Sequence, residues 1–289
     1  MQKNEMAKDL PVMEEQDSTC KICLLSKQAR IPFKGASWRA TEKLELVHSD
    51  VCVPMSEASL NGSRYFITFI DDFTRMCWIY FLKAKSEVAE VFMKFKCLIE
   101  NQCGRRIKVL RSDNGTEYTS NKFKCLCDEA GIERQFTAPY SPQQNGVSER
   151  KNRTIVEMAR CLMQEKDMPL KFWAEAANTD VFLLNRLPTK ALEKKTPYEA
   201  WHEMKPSVKN LKVFGCVCYT HVPQEKRRKL DQKSEPGVFV GYSLQSKAYR
   251  VFQPQTEKVI ISRDVTFLEE EKWNWKEGSK AEKGVTQKC

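Results

Sequence analysis

Long apolar runs are missing from this sequence. Nothing approaches the roughly 20 consecutive apolar residues that cross a bilayer, and no apolar segment behind positive charge stands near the N-terminus. Neither a membrane span nor a secretory signal is therefore expected. Histidine is scarce: His48, His202 and His221 are the only ones, and none precedes Cys20. That scarcity bears on zinc. Cys20-Lys-Ile-Cys23 has the spacing of a zinc ligand pair, yet a structural site takes four ligands, so residues 1–39 offer half a site. Acidic charge is the minority, 38 Asp+Glu against 48 Lys+Arg, for a net +10. Such an excess suits a polyanionic partner, nucleic acid first; a merely soluble basic protein is the bland alternative.

Core material and cysteine are present. Apolar residues make up 41% of 289, enough for one large or two modest domains with real cores. The 12 Cys, without a signal for export, are expected as reduced thiols of the cytosol or nucleus. Most lie in apolar runs, where Cys acts as a small hydrophobe.

Periodicity divides the chain after residue 40. Leu44–Val53, Tyr65–Asp71 and Cys77–Leu82 read as three strands with short links, an antiparallel meander. Val88, Val91, Phe92, Phe95, Leu98 and Ile99 recur at the helical period over 86–102, with Gly104 closing the helix. A strand ends at Asp113 before Asn114-Gly115, a helix over 120–130 stops at Gly131, and a strand follows over 132–138. Pro139 and Pro142 break the chain before a long helix over 143–166, whose buried stripe is Ile155, Met158, Ala159, Leu162 and Met163. Asn145, Glu149 and Arg153 align beside that stripe at i, i+4 and i+8. A helix over 170–186 and a short one from Thr196-Pro197 come next. From Val213 the pattern changes to four short β-type runs, VFGCVCYTHV, GVFVGYS, KAYRVFQ and KVIISRDVTF, which suggest a small antiparallel barrel or sandwich. Residues 271–289 read as a polar tail, with Trp273 and Trp275 able to fold back.

Three acids stand out by position. Asp50 lies inside a strand, where Asp is disfavoured. Asp113 ends a strand, though before Asn-Gly it reads equally well as a turn residue. Glu149 opens the long helix, where the dipole alone favours an acid and Arg153 is an i,i+4 partner. Asp71 and Asp72, at a strand-to-turn junction, read as structural. Cys125/Cys127 and Cys216/Cys218 read as packing rather than metal ligands. Lys226-Arg227-Arg228-Lys229 is a weak phosphate-contact or nuclear-import signal.

The order of three strands, helix, strand, helix, strand and long helices, with these acids at those places, resembles the RNase H-like core of retroviral-type integrases and DDE transposases. The wording is closer still. LELVHSDVCVPM, YFITFIDDFTR, RSDNGTEY, APYSPQQNGVSERKNRTIVEMAR, FWAEAANTDVFLLNRLP and TPYEAWHEMKPSVKNLKVFGC resemble the integrase of copia-type LTR retrotransposons over about residues 20–268. The resemblance implies an α/β fold: an RNase H-like catalytic core over 40–206, with a mixed five-stranded sheet flanked by helices, then a small all-β SH3-like barrel over 207–270. It implies Asp50, Asp113 and Glu149 as catalytic residues holding two Mg²⁺ or Mn²⁺ ions, Asp50 bridging them. It implies integration, with a DNA 3′-hydroxyl attacking a target phosphodiester and possible trimming of DNA ends. Asn114, Asn145, Arg150, Lys151 and Arg153, with Asn152 and Arg160 on the same helix, are the expected contacts to DNA, the partner. A homo-oligomer acting in the nucleus after synthesis in the cytoplasm is also implied. Two departures remain. The family's zinc module uses two His and two Cys, and CKICLLSKQ supplies only the Cys20/Cys23 half, as if the chain starts inside that module. Nothing after the barrel resembles the reverse transcriptase of the family's polyprotein. A catalytically silent nucleic-acid-binding remnant is the competing expectation.

Overall fold

The computed structural model describes residues 38–137, 145–243 and 245–276. Those residues belong to one compact unit that begins at Trp38. Cys20 and Cys23, the Pro139/Pro142 break and the end of the expected tail lie outside them.

The first sheet holds β1 (Leu46–Val51), β2 (Tyr65–Asp71), β3 (Cys77–Leu82), β4 (Val109–Ser112) and β5 (Glu133–Phe136), in the order β3-β2-β1-β4-β5. β1, β2 and β3 pair antiparallel, while β1–β4 and β4–β5 are parallel. Both faces are covered, which is why YFITFID is apolar almost throughout instead of alternating. On one face lie α1 (Val88–Cys103), α2 (the single turn Thr116–Thr119) and α3 (Asn121–Ala130). Their Phe92, Phe95, Tyr118 and Phe123 join Val47, Ile67, Phe69 and Leu110 from the strands in one apolar cluster. Phe69 and Phe95 stack with centroids 4.3 Å apart.

On the other face lie α4 (Gly146–Glu165) and α5 (Trp173–Leu184); α6 (Pro197–His202) follows in sequence. The stripe of α4 differs from its expected form. Ile155, Ala159 and Met163 are buried, but Met158 and Leu162 are only half-buried. Toward its N-terminus the buried line continues through polar residues, Asn152, Ser148 and Asn145.

The second sheet contains five strands, one more than the four β-type runs: β6 (Cys216–His221), β7 (Ser234–Tyr242), β8 (Tyr249–Gln253), β9 (Lys258–Ser262) and β10 (Val265–Lys272). Its order is β10-β6-β7-β8-β9, antiparallel at every pairing. The run KVIISRDVTF splits because the chain turns at Arg263-Asp264. β9 then stays beside β8 while β10 crosses to pair with β6, and His221 N–H donates to the Asp264 carbonyl at 3.0 Å. β10 extends to Lys272, so the expected tail from residue 271 begins as strand. Trp273 and Trp275 do fold back; the Trp275 ring lies 5.2 Å from Phe172 and 6.1 Å from Phe252.

The two sheets share an apolar cluster. Phe66 and Ile70 from the first, Ile155, Phe172 and Trp173 from the helical layer, and Val238, Val240 and Phe252 from the second pack together. Cys216 and Cys218, both fully buried, belong to the second sheet's own cluster. Cys127 is buried against the first sheet, but Cys125 is exposed, against expectation. Two helical positions apart are about 200° apart, so that pair cannot share a face.

Candidate active site

The parallel ladder brings the first two acids together. Leu46 pairs with Val109, Val47 with Leu110 and His48 with Arg111. Continuing that register by two residues sets Asp113 level with Asp50, on neighbouring strands about 4.8 Å apart. Asp113 follows the last residue of β4 and accepts the Gly115 N–H at 3.0 Å. Its turn role and its place beside Asp50 therefore coexist. Glu149 lies in the first turn of α4, the helix that packs across β1 and β2. All three acids are half-buried.

Asp50 records what surrounds it. Burial foremost, then the negative charge of Asp113, and also those of Glu149 and Glu117, raise its pKa from 3.8 to about 7. A hydrogen bond from Asn152 works in the opposite direction. Asn152 Nδ2 donates to Asp50 Oδ2 at 2.8 Å, and its Oδ1 accepts from Thr68 Oγ at 2.7 Å. Thr68 is the cross-strand partner of Asp50. One amide thus locks the carboxylate to helix and sheet together.

Asn145, expected at DNA, is turned into the fold. It is fully buried, its Nδ2 donates to the Ser49 carbonyl at 3.2 Å, and its Oδ1 accepts from Ser148 Oγ at 2.5 Å. Short amides fill the face of α4 here because β1 ends beneath it and leaves backbone acceptors to satisfy. Asn152, expected at the phosphates, is likewise turned inward. Asn114 is exposed with its amide bonded to the Thr137 carbonyl at 2.6 Å. Arg150, Arg153 and Arg160 are exposed and Lys151 is half-buried, its charge reaching Asp180 on α5. Asp71 and Asp72 are spent inside the fold. Asp71 accepts from Leu44 N–H and from Thr74 N–H and Oγ. Asp72 accepts from Ala40 N–H and bonds His48 and Arg75.

Sequence reasoning passed over Glu117. It lies on the four-residue α2, too short for any periodicity to show which way a side chain points. Among the described residues, no group of three or more His, Cys, Asp or Glu side chains is arranged to hold a metal ion. The acids are gathered without a preformed cage. Concentrated, partly buried carboxylate oxygen nevertheless fits Mg²⁺, which keeps several waters and takes one or two carboxylates. The raised pKa of Asp50 marks a place where a cation would relieve like-charge repulsion.

Known proteins carry the same parts. Residues 40–142 match the integrase core domain, and residues 216–281 match the retroviral polymerase SH3-like domain. Over 252 residues the chain is 48% identical to the retrovirus-related Pol polyprotein from transposon TNT 1-94 of Nicotiana tabacum, covering 87% of this chain and 19% of that protein. Over 263 residues it is 37% identical to the Pol polyprotein from transposon RE2 of Arabidopsis thaliana, covering 90% and 18%. The chain thus spans about a fifth of the length of these curated relatives. Its fold is like that of a chain in the simian T-cell lymphotropic virus intasome in complex with the PP2A regulatory subunit B56 gamma. There the TM-score is 0.52 at 17% identity, covering 86% of this chain and 87% of that one. With two acids on adjacent parallel strands, a third on the helix across them and an SH3-like sheet behind, the chain carries an integrase core domain followed by a retroviral SH3-like domain, and over most of its length it is similar to the Pol polyproteins of copia-type plant retrotransposons.

Proposed function

We propose that this chain joins DNA ends to target DNA as a metal-dependent polynucleotidyl transferase. The 3′-hydroxyl of element DNA attacks a target phosphodiester in line, and with water as nucleophile the same site trims DNA ends. The observation that carries this reading is the meeting of the Asp113 and Glu149 charges on the half-buried Asp50.

Asp50, Asp113 and Glu149 are the residues that would hold the Mg²⁺ or Mn²⁺ ions. When bound, such ions activate the attacking oxygen and stabilise the leaving one. The protein's own part is orientation. Asn152 fixes the Asp50 carboxylate, Asn145 and Ser148 dock the start of α4 against β1, and the Asp113–Gly115 bond sets the end of β4. The exposed Arg150, Arg153 and Asn114 offer donors to DNA phosphates, with Lys151 behind them. Joining two ends in one event favours a homo-oligomer, and chromosomal DNA as target places the work in the nucleus.

Mn²⁺-dependent joining of a labelled oligonucleotide tests the reading. Asp113→Asn should cut joining by roughly 100-fold or more without lowering the thermal midpoint. Joining that persists in this variant would sink the assignment. The lack of a preformed three-donor cluster among the described residues favours a second reading, a silent nucleic-acid-binding remnant. Salt-sensitive DNA binding without metal-dependent joining would establish it.

A further inference from the structure

Glu117 is the one acid near Asp113 that the reaction scheme leaves without a task. Its side chain is 3% exposed. Lys85 Nζ donates to Oε1 at 2.9 Å, while Oε2 is buried with no partner. A carboxylate oxygen in that position costs free energy unless something satisfies it. Lys85 does not complete the account, because its side chain is 47% exposed and engages only the other oxygen.

The direction of Oε2 is read from Gly115. A Cβ built there would lie 2.8 Å from Glu117 Oε2 and 3.0 Å from Asp113 Oδ1. The two carboxylates therefore approach each other across a residue with no side chain. Gly115 has φ −56° and ψ 145°, open to any residue; what the position demands is space. An unpartnered, almost wholly buried oxygen facing the same small gap as Asp113 Oδ1 is an observation separate from the clustering of acids.

Resting on the cation-binding reading above, we infer that Glu117 is a further carboxylate of the divalent-cation set, its free Oε2 serving the cation, or a water on that cation, beside Asp113. Lys85 is then the positioning residue that holds Oε1 and turns Oε2 inward. Gly115 is the gap that lets both acids reach one ion.

Titration of the full chain with MnCl₂, followed by calorimetry and by the electron paramagnetic resonance of free Mn²⁺, tests this without turnover. Glu117→Gln should weaken Mn²⁺ binding by roughly 10–100-fold, and Gly115→Ala, which pushes the two carboxylates apart, should weaken it in the same sense. Circular dichroism melts without metal confirm that each variant is folded. If Asp113→Asn loses Mn²⁺ while both Glu117→Gln and Gly115→Ala bind like the parent, Glu117 is only a partner of Lys85 and the inference falls, with the site intact. If Asp113→Asn itself binds like the parent, the underlying cation site is wrong. Should Glu117→Gln not fold, Gly115→Ala decides alone.

Discussion

A buried carboxylate that nothing pairs is a strain on the fold, and Asp180 is one. It is fully buried on α5, and neither of its oxygens has a hydrogen-bond partner. Burial raises its pKa from 3.8 to about 7, against the pull of Lys151 on α4; on the β3 side it is near the buried thiol of Cys77. Between these two values the folded chain keeps a proton that the unfolded chain releases. Stability from this group is therefore present at low pH and is lost as pH rises from about 4 to 7, on the order of 4 kcal/mol in all. The urea midpoint should fall between pH 5 and pH 8, and Asp180→Asn should flatten that fall. Equal pH slopes in parent and variant would remove Asp180 as the cause. Asp50 adds a slope of the same sign, and the paired comparison cancels it. Individual acids were only partly legible in the sequence. Asp50 was visible as an acid inside a strand and Asp113 as an acid at a strand end, and parallel pairing then set them side by side. Glu117 was hidden, because only the Gly115 gap gives it direction. The burial of Asn145 and Asn152 was not legible, because an amide on an amphipathic helix reads as solvated until the strand beneath it is known.

Among the elements, α5 and β7 show how closely the layers approach. Gly241 has φ +135°, and a Cβ there would lie 2.5 Å from Thr179 Oγ. Thr179 Oγ itself donates to the Val240 carbonyl at 3.3 Å. The β7–β8 register shifts between Phe239 and Gly241, so the strand bends where the helix crosses it. Gly241→Ala must meet both a disfavoured backbone and a clash, and should cost about 2–4 kcal/mol, read as a lowered chemical-denaturation midpoint. A loss below about 0.5 kcal/mol would mean that α5 moves aside freely. Elements themselves were legible wherever periodicity was strong: the three-strand meander, α1 ending before Gly104, and Thr196 capping α6 through Glu199 N–H. The split between β9 and β10 was not. Arg263-Asp264 is a two-residue bend inside an apolar run, after which the chain keeps its direction, and only pairing with β6 shows that it has changed edges.

At the scale of the whole molecule, periodicity marks the change at Val213 but not what either sheet buries itself against. The structure supplies that. Phe172 is fully buried, with centroids 4.8 Å from Phe252 and 5.2 Å from Trp275. Beside it, Glu175 on α5 takes both Arg250 Nε at 3.0 Å and a terminal Arg250 nitrogen at 2.6 Å, a bidentate pair that fixes orientation as well as distance. α5 also packs along α4, the helix that carries Glu149 and Asn152. The second sheet is in this way a buttress for the helix that carries Glu149, and loosening it should be felt at the proposed site. Phe172→Ala should cost about 3–5 kcal/mol and leave one cooperative transition, reported at the same midpoint by tryptophan fluorescence and far-ultraviolet circular dichroism. Joining activity in the folded variant should fall even though residue 172 lies far in sequence from every acid of the site. Two separated transitions, with only the later one unmoved, would show instead that the sheets fold as independent bodies and that the shared cluster transmits nothing to Glu149.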